Sequence, residues 1–427
     1  MTNSIVPAEA SAFEQTKPSR FDQLAKKLFF SLLCGLRRGE LTIIDGSVRR
    51  TFGEKSNQFP LEATITVHHP RFYSSVVFGG SIGASEAFMA GQWSTDDLTT
   101  VVRITILNRE VFEGMEKGLA RLTAPLHMFV HLLRGNTRKG SRLNIAAHYD
   151  LGNDFYKLFL DETLTYSCGI FEREESTLKE ASLAKYHRIC QKLDLSSEDH
   201  VVEIGTGWGG FAIYAAQNYG CRITTTTISA AQHDLAKALI VKAGVAQKVE
   251  VLLEDYRDLK GKYDKLVSIE MIEAVGHQYF NTFFRSCSNL LKENGMMLLQ
   301  AITMTDQVFE RHKRSVDFIK RYIFPGSCIP SIAAMSRSIA RASDLKLVHL
   351  EDITPHYART LRIWRERFFA NIDKVRYLGL PETFIRMWDY YLSYCEAGFA
   401  ERYLGDVQMI LTKPLCRRPP LLAPLVT

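Results

Sequence analysis

The chain has 427 residues, a length that suits two or three domains, and 46% of them are hydrophobic and 23% charged, as in ordinary globular proteins. The formal net charge of +6 is modest, and no tract rich in lysine and arginine indicates a nucleic-acid partner. The eight cysteines form no C-x-x-C pair and no apolar run is long enough to span a bilayer, so we expect no zinc site, no disulfide framework and a cytoplasmic protein.

The first part of the chain predicts a small α+β domain over residues 18–130, after a polar N-terminus (1–17) that is expected to be disordered. Apolar residues at Phe21, Leu24 and Leu28 recur at helical spacing. The other predicted elements are a hairpin over 40–50 with its turn at Asp45-Gly46, strands at 63–68 and 72–78, a helix starting at Ser85 and a helix capped near Asp97.

Residues 117–149 contain no acidic side chain but several basic ones, next to a strongly apolar and aromatic stretch. Basic charge beside an apolar helix is typical of a segment that binds an anionic membrane surface. A solvated linker between two domains, over about 131–147, is the alternative, and the pattern alone leaves both interpretations open.

From about residue 185 the chain alternates between strand-like and helix-like runs, which predicts a mostly parallel sheet covered on both faces. The predicted strands are 201–204, 222–227, 248–253, 265–269, 295–303, 346–351 and 406–412, and the predicted helices lie near 180–193, 209–219, 229–243, 278–292 and 382–400. Residues 304–345 interrupt this alternation after the fifth strand. We expect that insertion to lie over the carboxyl ends of the strands, as a lid over a second substrate.

A glycine-rich turn joins the first strand of this region to its helix, in residues 201–210 (VVEIGTGWGG). Such turns bring a backbone against a nucleotide-like ligand at a helix N-terminus. An NAD site expects an acidic residue about 20 residues further on, but residues 222–232 contain none. The pattern therefore favours S-adenosylmethionine over NAD, with a turn that binds no ligand as the remaining alternative.

Several motifs in the correct order resemble the cyclopropane-fatty-acid-phospholipid synthases, over roughly residues 35–413. They are 83–98 (GASEAFMAGQWSTDDL), 148–156 (HYDLGNDFY), 165–168 (TYSC), 203–210, 227–232, 255–258 (DYRD), 268–276 (SIEMIEAVG), 321–331 (RYIFPGSCIPS), 364–368 and 390–399 (YYLSYCEAGF). The resemblance implies a seven-stranded, Rossmann-like class I methyltransferase domain over 148–413 with a helical lid. It also implies a lipid- and membrane-binding domain over 18–130 and a short tail over 414–427.

The reaction that the resemblance implies is transfer of the methyl group of S-adenosylmethionine to the cis double bond of an acyl chain in a membrane phospholipid. A carbocation forms, a proton leaves and a cyclopropane ring closes. The resemblance further implies a homodimer attached peripherally to the inner leaflet of the membrane. Two alternatives remain open: a related enzyme that makes a methyl-branched or hydroxymethyl chain from the same cation, and a catalytically silent lipid-binding protein.

The residues that the sequence assigns to the cofactor are Tyr166, Ser167, Glu203, Gly205, Gly207, Trp208, Thr227 and Gln232, with Asp255, Tyr256 and Arg257 around the adenine. The family is thought to use a bound bicarbonate ion as its base, and motif matching places this ion at Cys168, Glu273, Tyr357 and Gln300.

Two positions in the matched motifs depart from the family pattern: Gln300 and Ala274 stand where many members have histidine. Glutamine can donate a hydrogen bond to an anion but cannot shuttle a proton as histidine can. Cys395 stands where the family's active-site cysteine is traditionally placed, although an ordinary buried helix cysteine is the simpler interpretation. Aromatic side chains suit an acyl tunnel and stabilise a cation; the candidates are Phe309, Tyr322, Phe324, Tyr357, Trp364, Phe368 and Phe369.

Overall fold

The computed structural model describes residues 18–112 and 151–421. The chain divides into two compact units, the first built from residues 18–112 together with Gly379–Glu401, and the second from 151–378 and 402–421. Residues 379–401 were predicted to belong to the domain over 148–413, whereas the structure groups them with the first unit. The predicted basic segment, 117–149, lies outside the described residues.

The first unit has a four-stranded sheet and four helices among its described residues. Its strands, in the order β2-β1-β3-β4, are β1 (Gly39–Asp45), β2 (Val48–Glu54), β3 (Glu62–Val67) and β4 (Trp93–Thr95). Its helices are α1 (Arg20–Leu33), α2 (Arg71–Met89), α3 (Leu98–Leu107) and the last helix of the chain, α13 (Glu382–Ala400). The hairpin predicted at Asp45-Gly46 is confirmed, because β1 pairs antiparallel with β2 across that turn.

The strand predicted over residues 72–78 is wrong, because this stretch begins helix α2. Its aromatic and β-branched residues have high intrinsic strand propensity. Their burial, however, recurs at helical spacing, with Phe72, Tyr73, Val76 and Val77 all buried. Packing against α1 therefore outweighs local propensity, as it commonly does for amphipathic segments.

The second unit is built on the seven-stranded sheet that the sequence predicted. Its strands are β5 (His200–Ile204), β6 (Arg222–Thr227), β7 (Val249–Leu253), β8 (Tyr263–Ile269), β9 (Leu291–Met304), β10 (Lys346–Asp352) and β11 (Leu404–Thr412). They are arranged in the order β10-β11-β9-β8-β5-β6-β7. The five strands from β9 to β7 are parallel, and β11 pairs antiparallel with both β9 and β10.

Helices cover both faces of this sheet. They are α4 (Asn153–Tyr156), α5 (Leu178–Leu193), α6 (Gly210–Tyr219), α7 (Ala230–Lys242), α8 (Phe280–Leu290), α9 (Asp306–His312), α10 (Ile332–Ala342), α11 (Thr354–Ala370) and α12 (Ile372–Tyr377). Local sequence sets several of their starts. Thr177 and Glu180 form a capping box on α5, and Ser229 caps α7 by accepting a hydrogen bond from the backbone N–H of Gln232.

The insertion after β9 contains α9, α10 and a short π-helix (Ile319–Ile323). It contacts the segment that follows β8, since the backbone N–H of Cys328 donates to the carbonyl of Glu273 at 2.8 Å. The insertion therefore lies beside the carboxyl end of a central strand. Within the described ranges, no helix is both long enough and apolar enough to cross a bilayer.

Candidate active site

The glycine turn between β5 and α6 has the backbone that a close ligand approach requires. Gly205, Gly207 and Gly209 have φ angles of 103°, 52° and 88°, a region that side chains other than glycine rarely adopt. No described atom lies within 4 Å of the point where a Cβ on Gly207 would stand. The space over Gly207 is therefore open, and the turn fits the cofactor that the sequence predicts.

Trp208 is held in place by a residue that the sequence analysis did not single out. Its indole N–H donates to Asn153 Oδ1 at 2.7 Å, and Asn153 Nδ2 donates to the carbonyl of Ala231 at 3.3 Å. Asn153 thus ties the glycine turn to the first residues of α7. Asn153 belongs to the 148–156 motif, and its place in that motif could have marked it as a site residue. His148, Tyr149 and Asp150 of the same motif lie outside the described residues.

Glu203 lies at the carboxyl end of β5 and is buried. It accepts a hydrogen bond from the Thr225 hydroxyl at 2.6 Å. Burial raises the pKa of Glu203 to about 8, against the smaller opposing effect of the Thr225 hydrogen bond. Glu203 is therefore mostly protonated at neutral pH. Its hydrogen bond with Thr225 links β5, just before the glycine turn, to the neighbouring strand β6.

The other predicted cofactor residues follow β6 and β7 at the same edge of the sheet. The Thr227 hydroxyl donates to Gln232 Oε1 at 2.9 Å. Beyond β7, the guanidinium of Arg257 donates to the Asp255 carboxylate at 2.8 and 2.6 Å and lies 5.6 Å from the centre of the Tyr256 ring. The acid at Asp255 is thus paired with a cation, and Tyr256 supplies an aromatic wall.

A chain of aromatic rings runs from the glycine turn to the far side of the site. The ring of Trp208 lies 5.0 Å from that of Tyr156, which lies 5.4 Å from Tyr166. Tyr166 lies 5.2 Å from Trp364, and Trp364 lies 6.3 Å from Tyr357. Four sequence candidates are therefore joined by one continuous aromatic wall: Trp208, Tyr166, Trp364 and Tyr357.

Glu270, which the sequence analysis did not assign, lies at the end of this wall. Its Oε1 accepts from the backbone N–H of Cys168 at 2.9 Å and from Gln300 Nε2 at 2.8 Å. Its Oε2 accepts from the Tyr357 hydroxyl at 2.5 Å. Three of the four residues that were assigned to bicarbonate thus meet on one carboxyl group of the protein itself.

Glu273, the fourth, is buried and has a different environment. Its Oε1 accepts from the backbone N–H of Ile302 at 2.5 Å, and its Oε2 has no hydrogen-bond partner among the described residues. Burial, and then the charge of Glu270, raise the pKa of Glu273 to about 8. Glu273 is therefore mostly neutral near pH 7.

Cys168 contributes its backbone rather than its thiol. The thiol donates to the carbonyl of Gly169 at 3.2 Å, and burial, followed by the charges of Asp406 and Glu270, raises its pKa well above the ordinary value. It is thus unsuited to nucleophilic work. Nearby, the buried Lys185 donates to the Ser167 hydroxyl at 2.7 Å and thus positions that predicted cofactor residue.

Cys395 lies on α13, in the first unit, whereas the other predicted site residues lie in the second.

Asp406, which no sequence motif pointed to, is fully buried on β11, and its Oδ1 has no hydrogen-bond partner within the described ranges. A usable signal for Glu270 was its position, since it is the first residue after a buried parallel strand.

Comparison with known proteins gives consistent matches. Residues 136–409 match the family model for mycolic acid cyclopropane synthetase. The chain is 40% identical over 341 residues to the tuberculostearic acid methyltransferase UfaA1 of Mycobacterium tuberculosis, covering 78% of this chain and 79% of that protein. It is 34% identical over 363 residues to the cyclopropane-fatty-acyl-phospholipid synthase of Escherichia coli K12, covering 82% and 88%.

Among solved structures, the mycolic acid cyclopropane synthase CmaA1 complexed with SAH and CTAB matches with a TM-score of 0.60 and 32% sequence identity. The match covers 64% of this chain and 98% of that one. SAH, S-adenosylhomocysteine, is what S-adenosylmethionine becomes when it gives up its methyl group. The likeness therefore agrees with the cofactor that the open glycine turn fits.

Proposed function

The chain belongs to the mycolic acid cyclopropane synthetase family of S-adenosylmethionine-dependent methyltransferases, and from that premise we propose that it acts on the cis double bond of an unsaturated acyl chain in a phospholipid. The product is a cyclopropane ring built across that bond. The name of the 34% identical relative, a cyclopropane-fatty-acyl-phospholipid synthase, supports this choice of substrate.

The observation that carries the proposal is the aromatic wall that leads from Trp208 to Tyr357 and ends at the Glu270 carboxyl group. An alkene is a weak nucleophile, so catalysis must come from positioning and from stabilising the cation that follows. Aromatic faces attract a cation and exclude water, and a carboxylate stabilises positive charge. This arrangement suits a carbocation formed in an apolar site.

Bound S-adenosylmethionine supplies an electrophilic methyl group on sulfur. The alkene electron pair forms a bond to the methyl carbon while the sulfur–carbon bond breaks, and its electrons stay on sulfur. Gly205, Gly207 and Trp208 would hold the donor, and Tyr166 and Trp364 would line the path of the acyl chain. A base then removes a proton from the added methyl group, and the electron pair of that C–H bond closes the ring.

A second candidate product is a chain with a methylene branch, which a separate reductant would have to reduce to give a methyl branch. The 40% identity to a protein named a tuberculostearic acid methyltransferase favours it. The same cation leads there when a hydride shifts first and the released C–H pair forms a double bond rather than a ring. The methylene-branched chain and the cyclopropane chain have the same mass, because each gains one CH₂. Only the cyclopropane ring has strongly shielded protons in NMR spectra.

Attachment to a membrane surface is the remaining part of the proposal. Helix α1 exposes three apolar side chains at helical spacing: Phe21 (56%), Leu24 (53%) and Leu28 (41%). The cations Arg20 and Lys27 on the same helix are also exposed. An exposed apolar stripe with basic neighbours suits the surface of an anionic bilayer, where the phospholipid substrate would be found.

The test is incubation of the protein with S-adenosylmethionine and vesicles of a defined cis-unsaturated phospholipid, followed by mass spectrometry of the acyl chains. A gain of one CH₂ with shielded ring protons supports cyclopropane formation. The same gain without those protons selects the methylene product. No gain with any unsaturated phospholipid, while S-adenosylmethionine binds, would reject the proposed activity.

A further inference from the structure

Glu270 accepts hydrogen bonds from three of the residues that the family resemblance assigned to a bicarbonate ion. The backbone N–H of Cys168, the Gln300 amide and the Tyr357 hydroxyl all donate to its carboxyl oxygens, at 2.9, 2.8 and 2.5 Å. Three donors that converge on two oxygens form an oxyanion site, and here the chain itself supplies the oxyanion.

A chain of hydrogen bonds through the side-chain amides of Gln408 and Gln300 fixes the orientation of the Gln300 amide, one of these three donors. Lys192 Nζ, which can only donate, gives a hydrogen bond to Gln408 Oε1 at 2.7 Å. Gln408 Nε2 therefore faces Gln300 and donates to its Oε1 at 3.0 Å. The Nε2 of Gln300 must then face away from Gln408, and it donates to Glu270 Oε1 at 2.8 Å and, at the longer distance of 3.4 Å, to Asp406 Oδ2. Glu270 is therefore the nearer acceptor of the Gln300 amide. A backbone hydrogen bond of 2.8 Å from Glu270 to the Gln300 carbonyl holds the same pair together.

The charges around this site argue against a second anion. Burial, followed by the charge of Glu270, raises the pKa of Glu273 to about 8, and burial followed by Glu270 and Glu273 raises the pKa of Asp406 well above its ordinary value. Burial first, and the neighbouring carboxyl groups second, therefore favour the neutral forms of Glu273 and Asp406. A bicarbonate ion would lose these donors to Glu270 and would be repelled by it. Bicarbonate therefore does not fit the site that these residues form.

The backbone conformation and the partial exposure of Glu270 also distinguish it from the other carboxyl groups of the site. The residue follows β8 directly and has a φ of 49°, a conformation that costs on the order of 1 kcal/mol outside glycine and is found at functional sites. It is also only half-buried, whereas Glu273 and Asp406 are buried. Glu270 is accordingly the one of these three carboxyl groups that retains access to a ligand.

We propose that Glu270 is the general base of the reaction and replaces an added bicarbonate ion. This inference rests on the proposed function and identifies its proton acceptor. After methyl transfer, a C–H bond of the added methyl group breaks, the proton moves to a Glu270 carboxylate oxygen, and the C–H electron pair forms the last carbon–carbon bond. The protonated Glu270 then returns its proton to solvent, so no other reactant is required.

The experiment compares wild type with Glu270→Gln, Glu273→Gln and the exposed control Glu293→Gln, in buffer freed of carbon dioxide and in buffer with added bicarbonate. We expect wild type and the control to turn over equally in both buffers. Glu270→Gln should lose about 10²- to 10⁴-fold in kcat, with its affinity for S-adenosylmethionine retained as evidence of folding. Glu273→Gln should lose far less, since an amide resembles a protonated carboxyl group in shape and hydrogen bonding.

Wild-type turnover that depends on bicarbonate, or full turnover by Glu270→Gln, would overturn the inference. Binding of ¹³C-bicarbonate, followed by NMR line broadening, gives a readout that needs no lipid turnover. We expect no binding by wild type and measurable binding by Glu270→Ala, in which the three donors are released. Binding of bicarbonate by wild type, or by neither protein, would also overturn the inference. This readout does not depend on the proposed lipid substrate, so it tests Glu270 even if that substrate is wrong.

Discussion

The Tyr357 hydroxyl donates a hydrogen bond of 2.5 Å to Glu270 Oε2. It joins the last ring of the aromatic wall to the carboxyl group on which Cys168 and Gln300 also converge. The same contact therefore links the surface that would stabilise a cation to the group that would take its proton.

Replacement of Tyr357 by phenylalanine tests this link. The change removes a hydrogen bond to a charged group, worth about 1.5–3 kcal/mol, and keeps the ring in the wall. We expect kcat to fall about tenfold or more, with the affinity for S-adenosylmethionine unchanged in calorimetry. Tyr377→Phe is the matched control, because Tyr377 is 92% exposed. Equal turnover by Tyr357→Phe and Tyr377→Phe would remove this hydrogen bond from the mechanism.

A second prediction concerns the glycine turn. Gly207 and Gly244 have similar positive φ angles, 52° and 72°, and open space in the Cβ direction, so an alanine at either site should cost a similar amount of stability. Only Gly207→Ala should place a methyl group in the cofactor's position. Calorimetry should show at least tenfold weaker binding of S-adenosylmethionine to Gly207→Ala than to Gly244→Ala. Equal affinities would mean that the cofactor does not lie over Gly207.

Much of the fold was open to prediction because its signals are local. Buried parallel strands leave apolar runs, such as residues 201–204 and 265–269, and all seven predicted strands of the large sheet are present. The stretch 72–78 was mispredicted because its local propensity and its tertiary packing disagree, and packing decides.

The role of Glu270 could not be predicted in the same way. Its hydrogen-bond partners lie 102, 30 and 87 positions away along the chain, at Cys168, Gln300 and Tyr357. Only the folded sheet brings these groups together. The departure at Gln300, noted in the sequence as a loss of histidine chemistry, becomes intelligible once its amide is found donating to Glu270.

The raised pKa of Glu203 makes stability depend on pH. A carboxyl group with a folded pKa of about 8, above its ordinary 4.5, favours the native state while it is neutral. That contribution is lost as pH rises from about 4.5 to about 8, by on the order of a few kcal/mol. Urea unfolding at pH 6 and pH 9 should therefore show a smaller loss for Glu203→Gln than for wild type. The exposed Glu198→Gln should behave as wild type, and an identical loss in all three proteins would contradict the assignment.

The exposed stripe on α1 predicts where the protein meets lipid. The double change Leu24→Glu and Leu28→Glu replaces exposed apolar side chains with negative charge, and should weaken binding to anionic vesicles at least tenfold in co-sedimentation. Val241→Glu is the control, because Val241 is an exposed apolar residue (67%) on α7 of the second unit. Vesicle binding that survives the α1 change, or fails equally in the control, would contradict a role for this stripe.

The most direct test of the account follows the hydrogens of the transferred methyl group. The protein is incubated with S-adenosylmethionine that carries a CD₃ group and with vesicles of a cis-unsaturated phospholipid, and the acyl chains are analysed by mass spectrometry. The account predicts that the acyl chain gains a CD₂ unit, since one deuteron passes to the base. A chain that keeps all three deuterons, or one that gains no labelled carbon, would contradict it.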